Sequence, residues 1–405
     1  MRRQSTTTPD PSRSGEGPPS RLPPDAFDGI EAPIASQGEV PGRVELVLRH
    51  YLDERRAETA SLAAPCADDL VDRLSALVLT GGKRLRPAFL WCGWRASGGT
   101  GAGQRALLRV GAALELLQGC ALVHDDLMDA SAVRRGRPSL HRAFTEHHLA
   151  NGLGGSPAQF GASAALLAGD LALLWAQDLM EEADLPAAAR QRCARLWRAM
   201  RTEMVTGQYL ELSAQAARSC TPDEALRIAH LKAGLYTVQR PLAMGAVIAG
   251  AGEEIREPLE RAGERAGLAF QLRDDLLDLF GDSSRTGRPK GEDVRQGKPT
   301  YVMTVGLHNA RSGGHEAAAR VLDAAQGDQG LTEQGLARVR GALIDVGARA
   351  HVERLISELE QEALKAVAAL RLDPATAGDL QGLISRAAGV AAPPAAPGTC
   401  GEEGA

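Results

Sequence analysis

Ala121–Asp129 reads ALVHDDLMD, and Phe270–Asp278 reads FQLRDDLLD. In both, an Asp-Asp-x-x-Asp cluster closes an apolar run. On a helix, residues i and i+4 share a face, so Asp125 projects with Asp129 and Asp274 with Asp278, while Asp126 and Asp275 are rotated by about 100°. One turn earlier stand Ala121 and Phe270. The spacing predicts two helices that carry carboxylates to the mouth of an apolar cavity. Like charges on an apolar background cost folding energy unless something positive neutralises them. Hard oxygen ligands at this spacing suit Mg²⁺, which is usually held by one or two carboxylates plus substrate phosphates. No histidine or cysteine cluster suggests zinc.

The rest of the chain supports helices. Between about Val44 and Val390 it is rich in Ala, Leu, Arg and Glu, and its apolar residues recur at spacings of three and four. Aromatic residues make up only 3% of the chain and β-branched runs are few, so strands are not expected. The fold class expected is all-α, with about ten or more helices. Connections are expected at TGGK (80–83), ASGGTGAG (96–103), NGLGGSP (151–157), SCTPDEA (219–225) and GDSSRTGRPKGED (281–293). TPDEA is also a helix start, with Thr221 as cap, Pro222 in the first turn and acids that complement the dipole.

Composition narrows the function classes. The 405 residues carry a formal charge of −5, so there is no basic field for nucleic acid. Six scattered cysteines, with no CxxC pair, suggest neither a disulfide framework nor a zinc site and fit the reducing cytoplasm. The N-terminal MRRQSTTTPDPSRSG lacks the apolar region of a secretory signal. The most apolar stretch, FGASAALLAGDLALLWA, carries Asp170 and reads as too short to span a bilayer, so no integral membrane protein is expected. Residues 1–40 contain 19 Pro, Gly, Ser or Thr and no sustained apolar period, which predicts a disordered tail. Residues 44–390 are expected to form the folded domain and 391–405 a second frayed tail.

One DDxxD alone could be a solvated helix face. The basic residues change the reading. Arg134, Arg135 and Arg137 follow the first cluster; Arg288, Lys290, Arg295 and Lys298 follow the second. Upstream, GGKRLRP offers Lys83, Arg84 and Arg86 at a helix start, where backbone amides already favour anions. Acid and base clusters in alternation suit a divalent metal and a polyanion lying between them.

The ordered blocks GGKRLRP, ELLQGCALVHDDLMD, RRGRPSLH, GQYLEL, LKAGLYTVQRP, FQLRDDLLDLFGD and GRPKGEDVRQGKPT resemble the trans-isoprenyl diphosphate synthases of the polyprenyl synthetase family, in particular bacterial geranylgeranyl diphosphate synthases. The resemblance implies a helical bundle around a deep central cavity, usually dimeric, that condenses isopentenyl diphosphate with an allylic diphosphate using three Mg²⁺ ions. It implies that Asp125 and Asp129 ligate two ions and Asp274 the third, with Asp126 and Asp278 in support. Arg134, Lys232 and Lys298 would grip the allylic diphosphate. Lys83, Arg86, Gln118 and Arg135 would cradle isopentenyl diphosphate, and Gln271 and Arg288 would add further substrate contacts. Gln118 precedes Asp125 by seven residues and so shares its helical face. His124 could act as a base, but a packed or hydrogen-bonded histidine suffices.

Two positions depart from the family pattern. Ala233 follows Lys232 where a threonine is usual, and Arg288 stands where a lysine is usual, exchanging a point donor for a planar fork. Neither removes a metal ligand. In this family the fifth and fourth positions before the first aspartate form the cavity floor; here they are Cys120 and Ala121, both small. Growth past C15 to a C20 product is expected. Two alternatives remain: a class I terpene cyclase, which a second DDxxD and a second basic pocket argue against, and a non-catalytic partner subunit, which intact acidic motifs argue against. The N-terminal extension also resembles those of prenyl synthases packaged as cargo in encapsulin shells, which makes FDGIEAPIAS a candidate address segment and a bacterial nanocompartment a candidate location.

Overall fold

The computed structural model describes residues 32–281 and 290–389. Sixteen α-helices lie among the described residues. The first ten are α1 (Val40–Cys66), α2 (Asp72–Leu79), α3 (Leu85–Ala96), α4 (Gln104–Met128), α5 (Leu140–Ala150), α6 (Pro157–Glu182), α7 (Ala187–Ala217), α8 (Pro222–Ala229), α9 (Arg240–Ile248) and α10 (Glu253–Phe280). Then come α11 (Glu292–Gln296), α12 (Tyr301–Ser312), α13 (Glu316–Ala325), α14 (Glu333–Asp345), α15 (Ala348–Ala368) and α16 (Pro374–Ala388). The chain is all-α, as its periodicity predicts. Helix starts follow local chemistry: Thr221 and Glu224 form a reciprocal capping box on α8, and Ser156 and Asp373 cap α6 and α16, each ahead of a proline.

Two apolar cores share α10. The larger gathers α1, α3, α4, α6, α7 and α9 and takes Leu259, Ala262 and Ala266 from α10. The smaller gathers α8 and α12–α15 and takes Leu268, Leu272, Leu276 and Leu279. The acidic end of α10 therefore sits against the second core, while α4 is buried almost all round within the first. Each fully buried leucine contributes about 1.5–3 kcal/mol, so both helix ends are firmly anchored.

Three expectations need correction. A tail running to residue 40 does not hold: Ile34 is 6% exposed in the first core, and Gln104 on α4 donates to Ala32 O and accepts from Ile34 N–H. Burial of one isoleucine with both hydrogen bonds met is enough to dock this segment. Residues 1–31 and 390–405 lie outside the described residues. Second, one minimal hairpin is present, Val133–Arg134 paired with Arg137–Pro138. Its two-residue turn places Arg135 and Gly136 at positive φ (53° and 74°), as a twist-matched tight turn requires. Third, the apolar stretch around Asp170 belongs to a helix of 26 residues, α6, long enough to cross a bilayer; α4 passes the same test of length and composition but is mostly buried. On α6 only 33% of the apolar window is buried, and Leu166, Leu167 and Leu174 are exposed.

Candidate active site

Two helix ends and one irregular segment build the site. Between α8 and α9 the chain forms a wide π-type turn, His230–Gln239, carrying Lys232, Ala233, Tyr236 and Thr237; such segments re-aim side chains and gather at functional sites. It fits because Gly207 of α7 has no side chain: a Cβ there would lie 2.5 Å from Lys232 N.

Lys232 Nζ donates to Asp125 Oδ1 at 3.0 Å and to Glu211 Oε1 at 2.6 Å. Lys298 Nζ lies 2.6 Å from Asp129 Oδ2 and 3.8 Å from Asp293. Burial alone would raise the Asp125 carboxyl, but Lys298, Lys232 and Arg134 outweigh it and hold the group well below the usual range. Burial would lower both lysines, but Asp125 with Glu211, and Asp125 with Asp293, raise them instead. All three stay charged at neutral pH.

The hairpin divides RRG into two roles. Arg134 turns inward, 4% exposed; its Nε donates to Asp126 at 2.8 Å, its Nη2 also pairs with Asp126, and Nη2 reaches Asp125 at 3.3 Å. Asp126 is 1% exposed and does not line the cavity. Its position orients Arg134. Arg135 turns the other way, and its guanidinium donates to Leu77 O (3.2 Å) and Thr80 O (2.6 Å). Gly82 makes room: a Cβ on it would meet Arg135 Nη2 at 2.9 Å.

A second basic group lies across the cavity wall. Arg86 stacks over the Tyr236 ring at 4.0 Å and donates to Thr237 Oγ1 at 3.0 Å; Tyr236 OH donates to Gln118 Oε1 at 2.5 Å. Arg84, the other arginine of GGKRLRP, is withdrawn into a buried pair with Glu115 at 2.5 Å. Burial and the nearby charges of Arg84, Arg134 and Arg86 lower Arg135. Cationic charge in this excess is an anion site by its own chemistry.

The second acidic cluster is over-supplied with carboxylates. Burial and Asp293 together raise Asp274, raise Asp275 further, and push Asp278 up to about 8. Asp129, buried and beside Asp125, is pushed up to about 6 despite Lys298. Asp274 opens onto the cavity, where Lys83, Arg134 and Lys298 partly offset the rise. Asp275 accepts from Gln271 Nε2 at 2.7 Å, and Asp278 accepts the backbone N–H of Glu292 and Asp293 at the start of α11. Among the described residues no three acids, histidines or cysteines converge into one cage. This oxygen-only, proton-hungry donor set fits Mg²⁺ held by few carboxylates and completed by phosphate oxygens.

Many of these groups line one cavity of about 1010 Å³. Asp125, Lys232, Lys298, Asp274, Asp275 and the Gln271 bonded to it stand at one part of its wall and Arg86 and Gln118 at another; Cys120, Ala121, Leu173, Met204 and Phe270 give it an apolar body. His124 Nδ1 lies 3.7 Å from Cys120 Sγ and its Nε2 lies 3.3 Å from Leu166 O. Lys83 is exposed; Asp129, Arg134, Arg135 and Asp278 are off the cavity surface, Asp129 and Arg134 lining instead a small adjoining pocket that shares Asp293 and Lys298 with it; and Arg288 lies outside the described residues. Reading the sequence assigned no role to Glu211, Tyr236, Thr237 or Asp293. Each sits in a quoted block, but Glu211, Tyr236 and Thr237 meet their partners 21, 118 and 151 residues away, and Asp293 faces Lys298 only through the turn that joins them.

The polyprenyl synthetase family profile matches residues 68–338. A geranylgeranyl diphosphate synthase of Methanosarcina mazei is 30% identical over 56% of this chain, an alignment that spans 64% of that protein. A farnesyl diphosphate synthase of Geobacillus stearothermophilus is 33% identical over 78% of this chain and 93% of its own length. Among solved structures, a geranylgeranyl pyrophosphate synthase of Corynebacterium glutamicum, complexed with isoprenyl diphosphate and magnesium, superposes with a TM-score of 0.83 at 36% identity, covering 87% of this chain and 99% of that one.

Proposed function

We propose, from the premise that the chain belongs to the polyprenyl synthetase family, that it is a Mg²⁺-dependent trans-prenyltransferase joining isopentenyl diphosphate to allylic diphosphates, with geranylgeranyl diphosphate (C20) as its product. One observation carries the reading: two separate cationic groups and two aspartate-bearing helix ends open onto a single apolar cavity. Two diphosphates and a growing hydrocarbon need that combination.

Lys232, Lys298 and Arg134 hold the allylic diphosphate and stabilise the negative charge that builds as it departs. When bound, Mg²⁺ at Asp125, Asp129 and Asp274 supplies further charge neutralisation, with three ions as the expected number. Arg86 and Gln118, fixed by Tyr236, hold isopentenyl diphosphate with Lys83 and Arg135 at the rim. The apolar wall excludes water, so the cationic carbon meets the alkene before another nucleophile. Its adjacent proton then passes to the departing diphosphate, so no side chain is needed as base.

Cys120 and Ala121 line the cavity, and their small side chains support growth past C15. Cys120→Phe is expected to shorten the product to C15, read by chromatography of labelled products; an unchanged length would refute the floor assignment. Ala233 lines the cavity without the usual hydroxyl, and a lower turnover is the expected consequence. A homodimer is supported by the exposed apolar residues Leu167 and Leu174 of α6 and Leu149 and Leu153 in α5 and its following loop. We place the protein in the cytoplasm and assign residues 1–31 as the address for an encapsulin shell; Ile34, buried in the core, takes no part. Deleting residues 1–31 should abolish shell loading and leave turnover unchanged, and equal loading would refute the assignment.

A further inference from the structure

Along α7 the cavity wall changes character. Glu211 stands beside Lys232, and Leu212, Tyr209, Gln208, Thr206, Val205 and Met204 continue the lining without a charge, but nearer the helix start it ends in Thr202 and two cations, Arg201 and Arg198. Arg198 and Arg201 are three apart and therefore neighbours on one helical face. The acids of α7 closest to them are already engaged, Glu203 with Arg240 and Glu211 with Lys232. Arg201 rests over the Trp197 ring at 5.6 Å with its Nε buried and without a hydrogen-bond partner. Among the described residues neither arginine has an ion-pair partner; Arg201 is half-buried and Arg198 exposed, and two cations side by side are out of character for a wall that is otherwise mostly apolar.

Their depth can be measured on two helices. From Glu211 to Arg201 and Arg198 is ten and thirteen residues, or roughly 15 and 20 Å at about 1.5 Å per residue. On α6, Leu166 marks the level of His124, and Gln177, which accepts from Trp197 Nε1 at 2.9 Å, marks the level of the arginines. Those eleven residues span roughly 16 Å. An extended isoprene unit of four carbon–carbon bonds of about 1.5 Å advances about 5 Å. The arginines thus lie three to four units from the diphosphates.

We propose that Arg198 and Arg201 are the polar end stop of the product tunnel and fix product length at four isoprene units; the assignment rests on the prenyltransferase reading above. A longer tail would strip water from the guanidiniums and offer no hydrogen bond in return, which is costly. Cys120 and Ala121, nearer the diphosphates, let the chain pass.

The test uses the full chain with Mg²⁺, labelled isopentenyl diphosphate and C5, C10 and C15 allylic primers, comparing wild type with Arg198→Leu, Arg201→Leu and the double variant. The expected result is C20 from wild type and C25 or longer as the main product of the double variant, with the first condensation on the C5 primer unchanged. Arg201→Lys, which keeps the charge, should keep C20, and Arg201→Gln should lengthen the product even if the leucine variants fail to fold. Active variants that still stop at C20, or a wild type that stops at C15, overturn the end stop alone. A wild type that makes no product from any primer overturns the prenyltransferase reading with it.

Discussion

Asp125 and Asp126 are adjacent in sequence, yet the structure gives their loss opposite consequences. Asp126 is 1% exposed and Arg134 is 4% exposed, so Asp126→Ala leaves a buried guanidinium without its main partner. Breaking such a pair costs about 3–5 kcal/mol. With about 2.1 cal/mol/K of unfolding entropy per residue over the roughly 350 described residues, that is a fall in melting temperature of about 4–7 °C. Asp125→Ala is different. The cations around its carboxylate keep other acids, Lys232 holding Glu211 and Arg134 holding Asp126, so no cation is left unpaired and the stability loss should be smaller than that of Asp126→Ala. Activity reverses the order: losing the cavity-facing Asp125 should cost at least about a hundredfold in kcat. Thermal melts and labelled-substrate assays on the two variants settle the matter. Equal thermal losses, or a stable Asp126→Ala protein, would refute the division of labour.

Tyr236→Phe keeps the ring under Arg86 but leaves Gln118 Oε1 without its donor, at a cost of about 1–3 kcal/mol. The KM for isopentenyl diphosphate should rise about fivefold or more, with the allylic KM unchanged; equal rises in both would show that the two anion sites are misassigned. Asp129 and Asp278 have carboxyls pushed up to about 6 and about 8. A carboxyl raised above its unfolded value of about 3.9 favours the folded state below that pH and loses the contribution as pH rises through the folded value. The melting temperature in chelator should therefore fall between about pH 5 and pH 8.5, and Mg²⁺ should restore more of it at the upper end. A Mg²⁺ effect independent of pH would count against the carboxylate-rich site.

The helical class and the two acidic helix ends were legible because period and motif are local properties of the chain. Thr221 with Glu224 is capped as its spacing predicts. The hairpin at Arg134–Arg137 was not legible, since a pair of two-residue strands carries no alternation to read. Its signal was the Arg135-Gly136 pair, a two-residue turn at positive φ. The division of Arg84, Arg86, Arg134 and Arg135 into structural and cavity-facing groups was equally hidden, because Glu115, Thr237, Asp126 and the Leu77 carbonyl meet them only through the fold. The docking of Ile34 escaped for the same reason: its partner, Gln104, lies 70 residues away.

The measurement that bears most directly on the central claim is turnover by the purified full chain. It would be incubated with Mg²⁺, labelled isopentenyl diphosphate and, separately, C5, C10 and C15 allylic diphosphates, and the products sized. The expected product is a C20 diphosphate that disappears on chelation and in Asp125→Ala. No prenyl diphosphate from any primer would contradict it and would bring the non-catalytic subunit reading forward.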